Sequence, residues 1–202
     1  MLNQHREKFQ QLSIKIGVVF SKTGLSPNQW TLLSVLPAIA CFYLLTQNNF
    51  LAAAAFFAAA AFLDFVDGSV ARVTGCVTKF GAYLDTITDR YIELLIILGI
   101  FFIPLQPFFL SIQAWLLLYL FGSTMTTYAK AAAKEKGLVK KELKGGTLER
   151  AERMILLFAG ILAANYNSMF LGTAIVALAI GSNLTALQRI LKAMETQEEA
   201  AA

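Results

Sequence analysis

Residues Asp64 to Asp89 read DFVDGSVARVTGCVTKFGAYLDTITD. Reduced to its acidic and small positions, this is Asp64-x2-Asp67-Gly68-x2-Ala71-Arg72-x8-Gly81-x3-Asp85-x3-Asp89. Asp64 and Asp67 are three residues apart, and Asp85 and Asp89 are four apart. On helices, those spacings put each pair of carboxylates on one face. Gly68, Ala71 and Gly81 lie close to the acids in sequence, and small residues there let two helices, or a helix and a ligand, approach closely. Phe50 to Leu63, just upstream, carries no charge, and Tyr91 to Pro104, just downstream, carries only Glu93. Four acids therefore sit at the ends of two apolar segments.

Acids so placed repel one another and suffer desolvation unless something cancels them. Insertion of one aspartate at a helix centre costs roughly 2.5 to 3.5 kcal/mol, so such carboxylates are usually functional. Ion pairing with Arg72, Lys79 or Arg90 is one way to offset them, but three cations spread over two helices and a loop serve four stacked acids poorly. An all-oxygen donor set suits hard divalent cations, Mg2+, Mn2+ or Ca2+, rather than zinc. Two such ions would balance four carboxylates, which suggests a two-metal site of the kind that clamps a displacement at phosphorus.

At every fixed position the stretch resembles the signature of the CDP-alcohol phosphotransferases. Eight specified residues at set spacings arise by chance with odds on the order of one in a hundred million, at ~5% per residue. The resemblance implies that Asp64, Asp67 and Asp85 hold two Mg2+ or Mn2+ ions, with Asp89 contributing to the second. It also implies that Asp89 is the general base for the acceptor hydroxyl. The CDP-lipid donor would lie over Asp64, Asp67, Gly68, Ala71, Arg72 and Gly81. Pro27, Asn28 and Thr31 resemble the start of the family's first span and would border the nucleotide, although a helix cap alone also accounts for them. Arg72 reads either as a contact to the donor's diphosphate or ribose, or as an interfacial residue that snorkels. Glu93, one turn beyond Asp89, reads as a pairing residue rather than a ligand.

The rest of the chain fits a membrane setting. It has 202 residues, of which 57% are hydrophobic, and its mean hydropathy is +0.60. That excludes an ordinary soluble domain and favours a single membrane domain. Cys41 and Cys76 cannot make a disulfide framework. The polar opening MLNQHREKFQQ lacks the apolar core of a cleavable leader. Within residues 1–24, Phe9, Leu12, Ile16, Val19 and Phe20 alternate with His5, Arg6, Lys8, Lys15 and Lys22, which reads as an amphipathic helix on the membrane surface. Ser26 and Pro27 then restart a helix.

Six spans follow, at about Gln29–Thr46 with Pro37 as a kink, Phe50–Arg72, Phe80–Ile103, Phe108–Ala132, Leu148–Ala164 and Met169–Leu191. The expected fold class is all-α: a polytopic membrane protein of six transmembrane helices behind an N-terminal amphipathic surface helix. Residues 25–194 form the catalytic domain and 195–202 a frayed tail. The connectors at 47–49, 104–107 and 165–168 are uncharged, whereas those at 72–79 and 130–144, and the end at 189–192, carry Lys or Arg. The positive-inside bias then places the acids and both termini in the cytoplasm.

A second constellation is Lys130, Arg150, Arg153 and Arg189, near the cytoplasmic ends of the last three spans. Topology determination with binding to anionic headgroups is one reading. Contact with a phosphate is the other, since Arg150 and Arg153 share a helix face and fork naturally onto one. In context, TYAK, ERAER and QR resemble the acceptor site of the inositol-phosphate branch, the phosphatidylinositol-phosphate and archaetidylinositol-phosphate synthases. The expected reaction is transfer of a phosphatidyl or archaetidyl group from a CDP-lipid to inositol 1-phosphate, with release of CMP. Glycerol 3-phosphate, serine or another alcohol as acceptor is the first alternative, and a divalent-cation transporter the second, although no inverted repeat supports the latter. The partners expected are membrane lipids and, from the resemblance, a second copy of the chain in a homodimer; nucleic acid is not among them.

Overall fold

The computed structural model describes residues 2–139 and 145–201, with side chains over 10–139 and 145–196. Lys140, Lys141 and Lys144, in the basic connector at 130–144, and the side chains of His5 and Phe9 lie outside the described residues. The architecture is all-helical, with no strand among the described residues. Two compact units divide the chain, Met1–Ile100 and Phe101–Ala202.

The first unit holds α1 (Leu2–Ser21), α2 (Pro27–Leu33), α3 (Val35–Thr46), α4 (Phe50–Thr74) and α5 (Lys79–Phe101). Helix α2 starts where expected, with Ser26 as N-cap, Pro27 in the first turn, and the Ser26 backbone N–H donating to Gln29 Oε1 at 2.7 Å. Pro37 does not bend the helix at its own position. The break falls at Ser34, between α2 and α3. Pro37 has no N–H for the carbonyl of Leu33, and its ring crowds that carbonyl, so the disruption appears one turn upstream. Ser34, buried there, donates its hydroxyl to Thr31 O at 2.6 Å. Asn49 caps α4 by accepting from the Ala52 N–H at 3.3 Å, and Gly75 ends that helix at φ 69°, a left-handed conformation suited to glycine.

Helix α1 does not present all of its apolar residues alike. Ser13 and Gly17 are buried against α4, whereas Leu12 and Val19 are exposed. A side-chain carbon at Gly17 would lie 2.5 Å from Ser69 O and 2.7 Å from Val73 Cγ2, so the two helices touch backbone to backbone there. Phe20 then packs edge-on against Trp30 and Phe62, with ring centroids 5.3 and 5.7 Å away.

The second unit holds α6 (Ile112–Glu135), α7 (Arg150–Ala163) and α8 (Ser168–Ala201). Helix α6 begins at Ile112, capped by Ser111, rather than at Phe108. Phe108 and Leu110 pair across Phe109, and Trp115 Nε1 donates to Phe108 O at 2.7 Å, which holds these residues in a turn. Helix α8 continues past Leu191 to Ala201, so the segment expected as a tail begins inside a helix.

Among the described residues, three stretches are long and apolar enough to cross a bilayer: Pro27–Thr46, Phe50–Thr74 and Ser168–Thr196. The other three expected spans are helical but differ in composition or length. Helix α5 carries Asp85, Asp89, Arg90 and Glu93, and α6 dilutes its leucines with Gln113, Ser123, Thr124, Thr126 and Thr127. Helix α7 has 14 residues, which at 1.5 Å per residue is roughly 21 Å against a core of about 30 Å. In the apolar stretches small residues make up much of the helix packing, with Ala38, Cys41, Ala53 and Ala60 buried beside Leu45 and Phe57, while Leu36, Tyr43 and Leu51 are exposed. Lipid does not drive leucines inside, and small residues let helices approach.

Gly17→Val should lower the thermal midpoint of the detergent-solubilised protein by several degrees, since overpacking costs typically 1–3 kcal/mol. An unchanged midpoint in a melting scan would show that α1 does not seat on α4 at this point.

Candidate active site

The acidic stretch folds back on itself. Asp64 and Asp67 lie on α4, Asp85 lies on α5, and the turn through Gly75 joins the two helices. Carboxylate oxygens of these three residues come within 4.8 Å of one another. Asp67 is only 6% exposed. Its Oδ2 accepts a hydrogen bond of 2.5 Å from Thr31 Oγ1 on α2, so one lone pair is taken and the carboxylate is oriented. Asp64 and Asp85 are half-buried. Three oxygen donors converging from two helices suit a hard divalent cation in charge and ligand type, and Asp64, Asp67 and Asp85 could hold one.

Asp89 falls outside this group. It lies a turn further along α5, at 7% exposure. Glu93, the next acid on that face, is 1% exposed and pairs with Arg90 at 2.6 Å. It is a pairing residue, as its position suggested.

Beside the carboxylates is a pocket of about 190 Å³. Pro27, Asn28 and Thr31 from α2, Asp67, Gly68, Ala71 and Arg72 from α4, and Gly81 from α5 all line it. Every residue expected at the donor thus borders one pocket except Asp64, which belongs to the carboxylate group. The glycines have distinct uses. A side-chain carbon at Gly68 would come within 3.3 Å of Arg72 Nη1, so its absence lets the guanidinium lie against α4. One at Gly81 would sit 3.1 Å from both Asn28 Oδ1 and Thr78 Oγ1, so glycine lets α5 approach α2.

Two contributors escaped the sequence reading. Thr78 lines the pocket and accepts from the Gly81 N–H at 2.9 Å; a threonine three residues before a helical N–H is a recognisable capping pattern. Ser13 on α1 accepts from Arg72 Nη2 at 2.8 Å, and no local pattern marks it.

In the second unit, two of the four expected cations converge on one residue. Arg189 Nη1 donates to Thr126 O at 2.8 Å, and its Nε donates to Gly145 O at 3.3 Å. Arg153 is 2% exposed; its Nη1 donates to Leu148 O at 3.2 Å and to Thr126 Oγ1 at 3.5 Å. These arginines tie α6, α8 and the segment before α7 together, a structural role that the i, i+3 spacing of Arg150 and Arg153 did not reveal. Arg150 and Lys130 are half-buried on α7 and α6.

The sequence pattern of the CDP-alcohol phosphatidyltransferases matches residues 25–184. The chain belongs to this family. It is therefore a transferase enzyme, and its three apolar helical stretches make it an integral membrane protein. Among curated relatives of this chain, the archaetidylinositol phosphate synthase of Pyrococcus horikoshii is 34% identical over 98% of this chain and 99% of its own length. The phosphatidylinositol phosphate synthase of Corynebacterium glutamicum is 30% identical over 96% of this chain and 89% of its own. Among solved structures, the phosphatidylinositol phosphate synthase of Mycobacterium tuberculosis with CDP-DAG bound superposes with a TM-score of 0.79 at 26% identity, covering 91% of this chain and 94% of that one. The same enzyme in complex with manganese and citrate gives 0.80 at 26% identity, over 90% of this chain and 88% of that one.

Mn2+ binding followed by electron paramagnetic resonance should be lost in Asp85→Asn. In Thr31→Val it should weaken about ten- to a hundredfold, the usual cost of removing a group that orients a ligand. Wild-type binding in both variants would rule out a cation at this cluster.

Proposed function

We propose that the protein transfers a phosphatidyl or archaetidyl group from a CDP-linked lipid to the hydroxyl of inositol 1-phosphate and releases CMP. The observation that carries this reading is the gathering of seven of the eight signature residues, all but Asp89, into one carboxylate cluster and its adjoining pocket, in a chain whose full-length relatives bear inositol-phosphate synthase names. The cytidine diphosphate part of the donor occupies the pocket over Gly68, Ala71 and Arg72, bordered by Pro27, Thr31 and Gly81. Asp64, Asp67 and Asp85 hold Mg2+ or Mn2+, with Asp89 contributing to a second ion; bound there, the ions neutralise charge on the diphosphate and on the departing CMP. The manganese in the mycobacterial structure supports a divalent metal, and the CDP-DAG in its companion supports a CDP-lipid donor.

In the reaction the acceptor oxygen bonds to the lipid-bearing phosphorus, and the bond from that phosphorus to the CMP oxygen breaks. Asp89 accepts the hydroxyl proton. Its burial one turn from Asp85 keeps it near the reacting groups and away from bulk water. Lys130, Arg150, Arg153 and Arg189 bind the acceptor's phosphate, for which forked arginine contacts are strong and directional. Because Arg153 and Arg189 also bind backbone carbonyls, they are held by the fold before the acceptor arrives. A homodimer, six spans behind a surface helix at 1–24, a catalytic domain over 25–194 and a tail at 195–202 complete the proposal, with the carboxylates and both termini on the cytoplasmic side.

Arg189→Ala should raise the KM for inositol 1-phosphate about ten- to a hundredfold while leaving the donor KM near its wild-type value. Steady-state CMP release with inositol 1-phosphate, glycerol 3-phosphate, serine and free inositol decides the acceptor. Faster turnover of serine or free inositol would overturn the phosphate reading, and preference for glycerol 3-phosphate would move the enzyme to another acceptor.

Orientation is tested separately. In a background lacking Cys41 and Cys76, Asn48→Cys should react with an impermeant thiol reagent outside intact cells. Lys136→Cys should react only once the cytosol is opened. The reverse pattern would contradict a cytoplasmic active site.

A further inference from the structure

Arg72 is an exposed side chain at the edge of the pocket, and what holds its guanidinium there comes from outside the family signature. Arg72 Nη2 donates to Ser13 Oγ at 2.8 Å. Ser13 Oγ is 2.9 Å from Ser69 Oγ, and Ser69 Oγ donates to Phe65 O at 2.8 Å. Each hydroxyl has one proton. With that of Ser69 committed to Phe65 O, the Ser13 proton goes to Ser69, and the Ser13 lone pairs are left for Arg72. The direct contact from Arg72 Nη2 to Ser69 Oγ is longer, at 3.4 Å. The chain of donors therefore runs one way: guanidinium to Ser13, Ser13 to Ser69, Ser69 to the α4 backbone.

Ser13 is buried, at 5% exposure, and stands one turn from Gly17, where α1 meets α4 backbone to backbone. The seat of α1 on α4 is what delivers this hydroxyl. A long exposed arginine samples many rotamers unless something fixes it. The outer face of Gly68 gives the guanidinium a surface to lie against, and Ser13 gives it a direction.

We propose that Ser13 is a positioning residue for the donor: through Arg72, the N-terminal helix sets the affinity of the pocket for the nucleotide diphosphate of the CDP-lipid. This rests on the donor reading of the pocket given above.

Donor and acceptor KM are to be measured for wild type, Ser13→Ala, Arg72→Lys and the double variant in lipid nanodiscs, with CDP binding followed by calorimetry and folding by thermal melting. Ser13→Ala should raise the donor KM and weaken CDP about tenfold, at a melting midpoint close to wild type, and leave the acceptor KM within about twofold. In the Arg72→Lys background, which keeps the charge but not the fork, Ser13→Ala should add nothing. An unchanged donor KM, an equal rise in the acceptor KM, or the same tenfold loss in the Arg72→Lys background would overturn the proposal. If Ser13→Ala does not fold, Ser69→Ala breaks the same chain of donors from its other end and is judged by the same results. A wild type that releases no CMP from any CDP-lipid would instead overturn the donor reading itself.

Discussion

Three carboxylates whose oxygens lie within 4.8 Å of one another, in a protein that is 57% hydrophobic, form the constraint on which the first unit depends. Like charges at that separation repel strongly where water is scarce, and the arrangement is sustained only by groups that oppose the repulsion. Thr31 is one of them, through its hydrogen bond to Asp67. A divalent cation is the natural remainder, because a single small ion can sit among all three acids at once. The helix packing around the cluster serves that end. Gly81 lets α5 approach α2, and the Gly75 turn returns the chain so that Asp85 meets Asp64 and Asp67.

The second unit uses charge differently. Arg153 and Arg189 donate to one backbone carbonyl within α6 and to two in the connector before α7. A buried guanidinium has five donors, and protein acceptors that take one or two of them hold its plane while the others keep their directions. Binding to carbonyls and binding to a phosphate are therefore compatible uses of one side chain. The first makes the second less costly in conformational entropy.

Membrane residence shapes both units. The inward faces of α3 and α4 are rich in small residues, Ala38, Cys41, Ala53 and Ala60 beside Leu45 and Phe57, while leucine and aromatic side chains such as Leu36, Tyr43, Leu51 and Phe56 stay exposed, as lipid contact permits. Three buried polar side chains in the two units donate to carbonyls about one turn back along the chain. Ser34 reaches Thr31 O, Ser69 reaches Phe65 O, and Thr185 reaches Gly181 O.

Local order was legible from residue types alone. Ser26 and Pro27 marked a helix start, the aspartate spacings put acids on shared faces, and the eight-residue signature pointed to the family that residues 25–184 match. Each of these is a relation between residues within a turn or two, or a fixed pattern, and one-dimensional spacing carries it. The site's supports were not legible in the same way. Thr31 meets Asp67 across 36 residues of sequence, Ser13 meets Arg72 across 59, and Arg189 meets Thr126 across 63. The exclusion of Asp89 from the carboxylate group is of the same kind, since its i, i+4 spacing from Asp85 fixes a shared face but not which acids face α4. Periodicity tells which side of a helix a residue occupies. Only the crossing of that helix with another, set where a glycine lets two backbones touch, decides which side chain it meets.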